Sequence, residues 1–376
     1  KQSHVPYVIL APDLPYVLQL YDQGYQVMVG ELDDPDTYRR VGVDRAALVA
    51  TTLNDTTNTN VAFTVREISE SVPIVATASA SASVDILELA GCNRVIQLAE
   101  MLGQLLARRV LGSDAKSRVV GEFGDLFENA GADTVIQSTT VLLLAGSRAQ
   151  LDDYDALFCI YRGAPAPVVI LGGGRVGRSV AATLKAQGTE SHVVERDPAE
   201  ILDPDSDILG DAAEIEVLRR AGIEKSPSVV VTTSDDDMNV YLSIYCRRLR
   251  PDIQIIGRAT QERNISTLHR AGADFVLSYA SMGAGAVFNL LRRMDTLLLA
   301  EGLNVFRLPT PSALAGRSLA ESAIRAQTGC NVIAVSHNGR LDVNPDAFQP
   351  LPPDAELFVV GDLEAEGRFL DRYTSA

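Results

Sequence analysis

The sequence predicts an α/β protein of two doubly wound lobes with parallel sheets, each followed by a small α+β lobe. Two observations lead to this fold class. The chain of 376 residues contains an internal repeat, and within each copy short β-branched runs alternate with helical patterns. Strands that alternate with helices form βαβ units, and such units build a parallel, Rossmann-like sheet.

The internal repeat consists of segments that recur at a nearly constant spacing. Residues 51–58 (TTLNDTTN) recur 181 residues later as 232–239 (TTSDDDMN). Further pairs at spacings of 180 or 181 are Gly30 with Gly210, Arg39-Arg40 with Arg219-Arg220, Gly42 with Gly222, and Ala90-Gly91 with Ala271-Gly272. Chance does not keep such spacings in step over so long a stretch, so the chain is a tandem duplication.

The second copy shows the alternation most clearly. Strand-like runs occupy residues 168–171, 192–195, 228–232 and 253–257, and helical patterns occupy 177–187, 214–221 and 238–250. A long helix is predicted over 282–300. Beyond it, strands at 305–308, 332–336 and 357–360 surround one short helix at 318–327, which is typical of a small α+β lobe.

These patterns predict five segments. They are a first Rossmann-like lobe (1–112), its incomplete small lobe (113–162), a stiff linker (163–167, GAPAP), a second Rossmann-like lobe (168–300) and its small lobe (301–376). The first copy lacks an opening strand and a glycine loop, and a second gap falls near 125–127. Because a parallel sheet without its central strand leaves backbone groups unpaired, we expect sequence ahead of residue 1 or another chain to supply that strand.

Composition excludes several classes of partner. Lys and Arg number 33 against 49 Asp and Glu, which gives a net charge of −16. Such a surface repels nucleic-acid phosphates and anionic lipids, so neither is an expected ligand. No apolar stretch is long enough for a membrane helix and no signal peptide opens the chain. The cysteines, Cys92, Cys159, Cys246 and Cys330, are scattered and predict reduced thiols in the cytoplasm.

One motif carries ligand chemistry. The hexapeptide GGGRVG at 172–177 fits G-x-G-x-x-G, with a β run before it and a helical pattern after it. Gly172 permits a tight turn, Gly174 lets the backbone approach a pyrophosphate, and Gly177 allows close packing of helix on strand. Glu195 ends the next strand and can accept ribose hydroxyls. The sequence therefore predicts a nucleotide site, with a vestigial turn kept for packing as the alternative.

Residues after the third and fourth strands extend this candidate site. They lie at the carboxyl edge of the sheet, where such ligands bind, although turn and helix-cap chemistry explains them equally well. The candidate binding residues are Gly172, Gly174, Arg175, Val176, Gly177, Glu195, Arg196, Asp211, Ala212, Thr232 and Thr233. The run Asp235-Asp236-Asp237 is either a metal cluster or, as its position favours, the cap of the following helix.

The first copy differs at the decisive position. Ala11 stands where the second copy has Glu195, and Glu31-Leu32 replaces Asp211-Ala212, so we expect the first copy to bind a dinucleotide more weakly, or another ligand. Catalytic groups are also missing, because the histidines (His4, His192, His269 and His337) lie far apart in the sequence. A nucleotide site without a catalytic partner indicates sensing, so we predict that the protein is not an enzyme.

These motifs together resemble the RCK domain (regulator of potassium conductance, also called TrkA-N or KTN). The resemblance rests on GGGRVG, Glu195-Arg196-Asp197-Pro198, Gly210-Asp211-Ala212, residues 232–236 and Ala271-Gly272-Ala273-Asp274. Residues 304–361 resemble the RCK C-terminal lobe, and residues 5–110 and 127–158 resemble a second copy with pieces missing. The resemblance implies a cytoplasmic module that binds NAD, ADP or ATP. It also implies assembly of four chains, with eight copies, into a ring that opens or closes a potassium pore at the inner face of the membrane.

Two family contexts carry tandem copies. One is the gating ring of a ligand-gated potassium channel, which residues 154–161 favour, with a pore expected ahead of residue 1. The other is the separate TrkA subunit of a potassium uptake system, and an NAD-dependent dehydrogenase is a weaker third candidate. Some RCK members bind Ca²⁺ near the end of the Rossmann-like lobe, where this chain has Asp274 and Glu301 but, in the first copy, Asn93. Two carboxylates are too few to define that site.

Overall fold

The computed structural model describes residues 5–111, 118–120, 142–144, 166–292, 296–300, 303–343 and 345–374. The chain divides into two compact units, one of Lys1–Leu98 with Ala286–Arg293 and one of Ala99–Gly285 with Met294–Ala376. Within the described ranges, no helix is both long and apolar enough to cross a bilayer.

The first unit consists of short parallel strands with helices between them. Its elements are β1 (Ile9–Ala11), α1 (Leu14–Asp22), β2 (Val27–Val29), α2 (Pro35–Arg40), β3 (Val49–Thr51), α3 (Asp55–Arg66), β4 (Ile74–Thr77), α4 (Ser83–Leu89) and β5 (Arg94–Ile96). β1 pairs with β2, and β3, β4 and β5 form a second group. The core between α3, α4 and the strands includes Val61, Ile74 and Leu87.

Helix α5 (Leu98–Leu111) leads from the first copy into the second unit. Its Leu102 and Leu106 are fully buried in one core with Val168 and Ile170 of the second lobe. The Ser179 hydroxyl donates to the Glu100 carbonyl at 3.0 Å, so α5 packs directly on the helix that carries Ser179. Beyond α5, β6 (Arg118–Val120) pairs antiparallel with β7 (Leu142–Leu144). The rest of the predicted first small lobe lies outside the described residues.

The second lobe is a complete doubly wound sheet. Its elements are β8 (Val168–Leu171), α6 (Arg175–Ala186), β9 (Ser191–Glu195), β10 (Asp207–Leu209), α7 (Ile215–Arg220), β11 (Ser228–Val231), α8 (Asp236–Leu249), β12 (Gln254–Ala259), α9 (Ile265–Arg270), β13 (Phe275–Ser278) and α10 (Tyr279–Arg292). The strands are parallel, in the order β10-β9-β8-β11-β12-β13. The strand order reverses beside β8, which makes the carboxyl edge there the topological switch point.

The two faces of this sheet bury alternate residues of each strand. Ile170, Val230 and Ile256 face α5 and α6, whereas Leu171, Val231 and Ile255 face α7 and α8. Because both faces are covered, these strands are almost continuously apolar, which is typical of parallel sheets. The alternation fixes which side of the sheet each residue at the carboxyl edge faces.

The C-terminal lobe is an antiparallel sheet with helices. Its elements are β14 (Thr296–Ala300), β15 (Leu303–Pro309), α11 (Leu319–Ser322), α12 (Ile324–Thr328), β16 (Asn331–His337), β17 (Arg340–Val343), β18 (Glu356–Asp362) and α13 (Leu363–Tyr373). The strand order is β14-β15-β18-β16-β17. The rings of Phe306 and Phe369 pack edge to face with their centroids 5.6 Å apart, and this contact joins α13 to the sheet.

Two secondary-structure predictions in the C-terminal third are wrong, and one helix there was not predicted. The long helix expected over 282–300 ends at Arg292, and residues 296–300 form β14, which pairs antiparallel with β15. The short helix at 318–327 is interrupted by Ala323, whose φ of 47° is left-handed, and α13 was not expected. At β14, pairing with β15 overrides the local preference that the helical pattern expresses.

Candidate nucleotide-binding site

The turn between β8 and α6 requires glycine at two positions. Gly172 has a φ of +106°, and a Cβ there would lie 3.0 Å from the backbone nitrogen of Thr233. A Cβ on Gly177 would overlap the carbonyl oxygen of Gly172. The first turn of α6 therefore rests directly on the backbone of the preceding turn, and a side chain at either glycine forces them apart.

Gly174 is different, because nothing in the chain requires a glycine there. Its φ of −63° is ordinary, and a Cβ added to it would meet no atom within 4 Å. Gly174 is the N-cap of α6 and is solvent-exposed, with no side-chain cap on the helix. The first N–H groups of a helix lack intrahelical partners and favour an anion. The open space beside Gly174 therefore fits a phosphate group.

Glu195 is held at the carboxyl end of β9 by backbone donors. Its carboxylate accepts hydrogen bonds from the N–H groups of Gly173 at 2.6 Å, Arg196 at 2.7 Å and Asp197 at 2.9 Å. A carboxylate has about four lone-pair positions, so one acceptor position is left for a ribose hydroxyl. In this arrangement Arg196 contributes its backbone N–H to the positioning of Glu195.

Arg178 stabilises the glycine turn through its side chain, a role that the sequence analysis did not predict. Its guanidinium donates to the Gly173 carbonyl at 3.0 Å, to Asp207 Oδ1 at 2.7 Å and to the Glu200 carbonyl. The Asp207 side chain is 1% exposed. Burial raises the pKa of Asp207, but hydrogen bonds from Arg178 and from two backbone N–H groups outweigh this effect and lower it. The pair therefore stabilises the fold at neutral pH, and this contribution is lost as pH falls through the lowered pKa.

The predicted residues after β10 and β11 form the framework of this edge. The buried Thr232 hydroxyl donates to the carbonyls of Leu171 at 3.1 Å and Gly172 at 3.0 Å, and the Thr233 hydroxyl donates to Asn239 Oδ1 at 2.6 Å. Asp211 accepts the Ala213 N–H in a local turn, and Ala212 packs against the core. The turn-and-cap interpretation accounts for these contacts. Asn239 was not predicted as part of this edge, because its partner Thr233 lies six residues away in the sequence.

The aspartates after β11 cap helix α8 and connect it to a neighbouring loop. Asp235 accepts the Asp237 N–H at 2.9 Å and caps α8, which confirms that interpretation. Asp236 accepts the N–H groups of Thr260 at 2.7 Å and Gln261 at 3.1 Å and so ties α8 to the loop after β12. In the part of the chain that the structure describes, no group of three or more metal-ligating side chains occurs.

Asp274, named above as a Ca²⁺ candidate, pairs with Arg247. We call Arg247 and the groups that accept its hydrogen bonds the arginine clamp. Asp274 accepts from Arg247 Nη2 at 2.7 Å and from the Ile255 N–H at 2.6 Å. In the first unit, Asn93 Oδ1 accepts from Arg66 Nη2 and the Ile74 N–H, both at 2.8 Å. An uncharged amide therefore fills the same place, so the clamp does not require a carboxylate. Glu301 lies outside the described residues.

The register confirms that Ala11 occupies the position of Glu195. Ala11 pairs with Val29 as Glu195 pairs with Leu209, and its carbonyl accepts the Gly30 N–H as that of Glu195 accepts the Gly210 N–H. A methyl group cannot accept a hydrogen bond, so the first unit lacks a ribose acceptor at this strand end.

The two kinds of lobe match two domain families. The model of the TrkA-N domain matches residues 1–98 and 168–279, which together make up more than half of the chain. The chain belongs to the TrkA-N family. The model of the TrkA-C domain matches residues 305–373, the C-terminal lobe. These matches confirm the resemblance to RCK domains and the predicted Rossmann-like fold class.

Two relatives of this TrkA-N chain are a potassium channel protein and a potassium uptake protein. Potassium channel protein 1 of Methanocaldococcus jannaschii is 27% identical over 209 residues, which are 52% of this chain and 61% of that protein. The Trk system potassium uptake protein TrkA of Mycobacterium tuberculosis is 28% identical over 210 residues, 53% of this chain and 94% of that protein. The chain thus spans less than two thirds of the channel protein's length.

Solved structures of GsuK resemble the TrkA-N chain over 77% to 99% of its length. One is 30% identical with a TM-score of 0.66 and covers 99% of this chain and 75% of that one. The NAD-bound GsuK channel is 29% identical with a TM-score of 0.64 and covers 97% of this chain and 74% of that one. GsuK bound to ADP is 27% identical with a TM-score of 0.60 and covers 77% of this chain and 64% of that one.

Substitution of Gly174 separates binding from folding. We expect Gly174→Ala to change the free energy of unfolding by at most about 1 kcal/mol, because the added methyl group has room and only the N-cap preference is lost. ADP binding is expected to weaken at least about ten-fold, because the methyl group occupies the phosphate position. Urea unfolding and calorimetric titration measure the two effects.

Gly177→Ala is the matched control for this prediction. We expect it to destabilise the fold by about 1–3 kcal/mol, because α6 must move away from the turn. Unchanged ADP affinity in a folded Gly174→Ala protein contradicts a site at this turn.

Substitution of Asp274 tests the clamp against a Ca²⁺ site. We expect Asp274→Asn to change the free energy of unfolding by less than about 1 kcal/mol, because Asn93 fills the same position in the first unit and exposed ion pairs contribute little. Arg247→Ala is expected to cost about 1–3 kcal/mol, because it leaves the carbonyls of Gly272 and Ile253 without their side-chain donor. Denaturant unfolding with and without Ca²⁺ measures both. A Ca²⁺-induced rise in stability that Asp274→Asn abolishes is the contrary result.

Proposed function

We propose that this chain is a regulatory module that binds an adenine nucleotide in its second Rossmann-like lobe and controls a potassium pathway. One observation carries the proposal: an uncapped helix N-terminus with open space at Gly174 lies beside a carboxylate, Glu195, that backbone donors fix in place. A phosphate and a ribose need these two groups at adjacent strand ends.

The regulatory ligands we propose are NAD, ADP or ATP. The GsuK structures bound to NAD and to ADP support the first two, because both ligands carry the same adenosine diphosphate portion. The α6 N-terminus supplies N–H donors for the phosphates, Glu195 accepts from the ribose, and Arg178 keeps Gly173 in register with both. The first copy lacks the acidic acceptor at Ala11, so we propose that it binds such a ligand more weakly.

Within potassium transport, we favour the gating ring of a ligand-gated channel. The GsuK channel resembles 99% of this chain, both Rossmann-like lobes included, and this likeness supports the channel context. We propose a cytoplasmic ring of four chains, with eight lobes of this type, at the inner face of the membrane. A separate TrkA-like subunit of an uptake system is the alternative.

Regulation, not catalysis, is the activity that the lobe supports. The two histidines of the second lobe contact the carbonyls of Ala221 at 3.0 Å and Ala273 at 2.9 Å. Those carbonyls precede β11 and β13, at the opposite edge of the sheet from the glycine turn. A nucleotide can do mechanical work on a pore only if it binds two arrangements of the ring with different affinities. The site residues supply that affinity and need no reactive group.

Nucleotide-dependent potassium flux tests this proposal. In liposomes that contain the full gene product, we expect ADP or NAD to change the flux. Glu195→Gln should shift the effective concentration by roughly 10- to 100-fold, because a hydrogen bond to a charged acceptor is lost. Glu190→Gln is the matched control, since Glu190 is exposed just before the other end of the same strand.

Each contrary outcome has a defined meaning. Flux that nucleotide never changes contradicts the regulatory proposal, and flux that appears only with an added membrane subunit favours the TrkA-like alternative. Consumption of NAD with a small substrate would support an oxidoreductase instead.

A further inference from the structure

Helix α5, which follows the last strand of the first copy, packs on the helix that begins at the glycine turn. Only Gln97 separates β5 from α5. Leu102 and Leu106 of α5 are fully buried in the same core as Val176 of α6. Val176 is the second residue of α6 and belongs to the GGGRVG motif. The first copy therefore contributes a helix that packs on the first turn of α6, whose N–H groups we propose face the phosphates.

The two helices approach each other most closely at Gly103, which is buried. A Cβ added to Gly103 would lie 2.4 Å from Ser179 Cβ, 2.5 Å from Ser179 Oγ and 2.8 Å from the carbonyl oxygen of Val176. Carbon atoms that are not bonded to each other pack at about 3.5–4.0 Å, so a side chain at residue 103 forces the helices apart. The hydrogen bond from the Ser179 hydroxyl to the Glu100 carbonyl, 3.0 Å long, joins them at the same crossing.

Comparison with α10, the equivalent helix of the second copy, shows that this glycine is not required by the helix itself. Met101 and Met282 correspond at the repeat spacing of 181, so Ala284 stands where α5 has Gly103. Ala284 is exposed. A helix interior favours alanine over glycine, because glycine loses more conformational freedom on folding. The close approach to α6 therefore explains the glycine at residue 103.

We propose that Gly103 is a positioning residue for the nucleotide site, an inference that rests on the proposed function. The contact of Gly177 with the Gly172 carbonyl holds the first turn of α6 against the sheet, and α5 contacts the same turn at the Val176 carbonyl. A displacement of α6 at this crossing moves the N–H groups that we propose bind the phosphates. Because hydrogen bonds weaken steeply with misalignment, the packing of α5 on α6 then sets the affinity for a phosphate-containing ligand.

A reciprocal effect of the ligand on α5 follows from the same contact. If the packing of α5 on α6 strengthens nucleotide binding, nucleotide binding strengthens that packing by the same factor. The effect is expected along the helix, because its C-terminal half also contacts the second lobe. The guanidinium of Arg109 lies 4.2 Å from the centroid of the Phe275 ring on β13. A bound nucleotide is therefore expected to reduce local opening of residues 99–111.

Calorimetric titration with ADP tests the positioning role. We expect Gly103→Ala to weaken ADP binding at least about ten-fold, because the added methyl group moves α6 away from α5. Adding Ser179→Gly removes the two closest atoms, so the double variant should bind ADP within about three-fold of the wild type. Gly285→Ala is the matched control and should leave ADP binding unchanged, because a Cβ there meets no atom of the described residues within 4 Å. A purely structural role of Gly103 lowers the unfolding temperature but not the ADP affinity of the folded protein.

Hydrogen exchange of the wild-type protein tests the reciprocal effect, and it decides the question if Gly103→Ala does not fold. We expect ADP to slow amide exchange in residues 99–111 as well as in the first turn of α6. Slower exchange in α6 alone, or unchanged ADP affinity in a folded Gly103→Ala protein, overturns the positioning role while the nucleotide site stands. A loss of affinity that Ser179→Gly does not reverse also overturns it. A wild-type protein that binds no ADP overturns the proposed site itself.

Discussion

The close contact between the backbone of α6 and the turn after β8 is the constraint on which the second lobe depends. Gly177 must lack a side chain because the carbonyl of Gly172 occupies its place. This contact holds the N-terminus of α6 against the carboxyl edge of the sheet, where its unpaired N–H groups point outward. Thr232 secures the turn from β11, Arg178 from α6 itself and Glu195 from β9. Contacts within the chain therefore hold the groups that we propose face the nucleotide.

Comparison of the two copies separates what the fold needs from what a ligand needs. Arg66 and Arg247 make equivalent contacts with the carbonyls of Gly91 and Gly272. The buried amides of Asn58 and Asn239 likewise donate to the carbonyls of Thr77 and Arg258, which are equivalent residues of the two copies. Their residues therefore stabilise the fold and say nothing about binding. Glu195 is instead replaced by Ala11. Since these framework contacts are retained while the ribose acceptor is lost, we propose that the second copy binds the nucleotide more tightly than the first.

The sequence was sufficient to predict the duplication, because segments visibly recur at a constant spacing. It also predicted the parallel sheet, the glycine turn and the acid at the end of β9, because each follows from a pattern within one βαβ unit. The Asp235 cap is of the same kind. Arg178 and Asp207 were not predictable, because their roles arise from contacts between strands and helices that are distant in sequence. The same reason explains β14, whose leucines fit a helix until the pairing with β15 is known. Thr232 and Thr233 were placed correctly at the edge, but only the hydrogen bonds show that they support the turn.

A crystal structure of the protein with ADP is the most direct measurement of whether the second lobe holds the nucleotide. The account predicts one ADP per chain, with its ribose within hydrogen-bond distance of Glu195 and its phosphates at the N-terminus of α6. It also predicts no nucleotide at the strand end that carries Ala11. An ADP bound equally in both lobes, or bound away from the glycine turn, would contradict it.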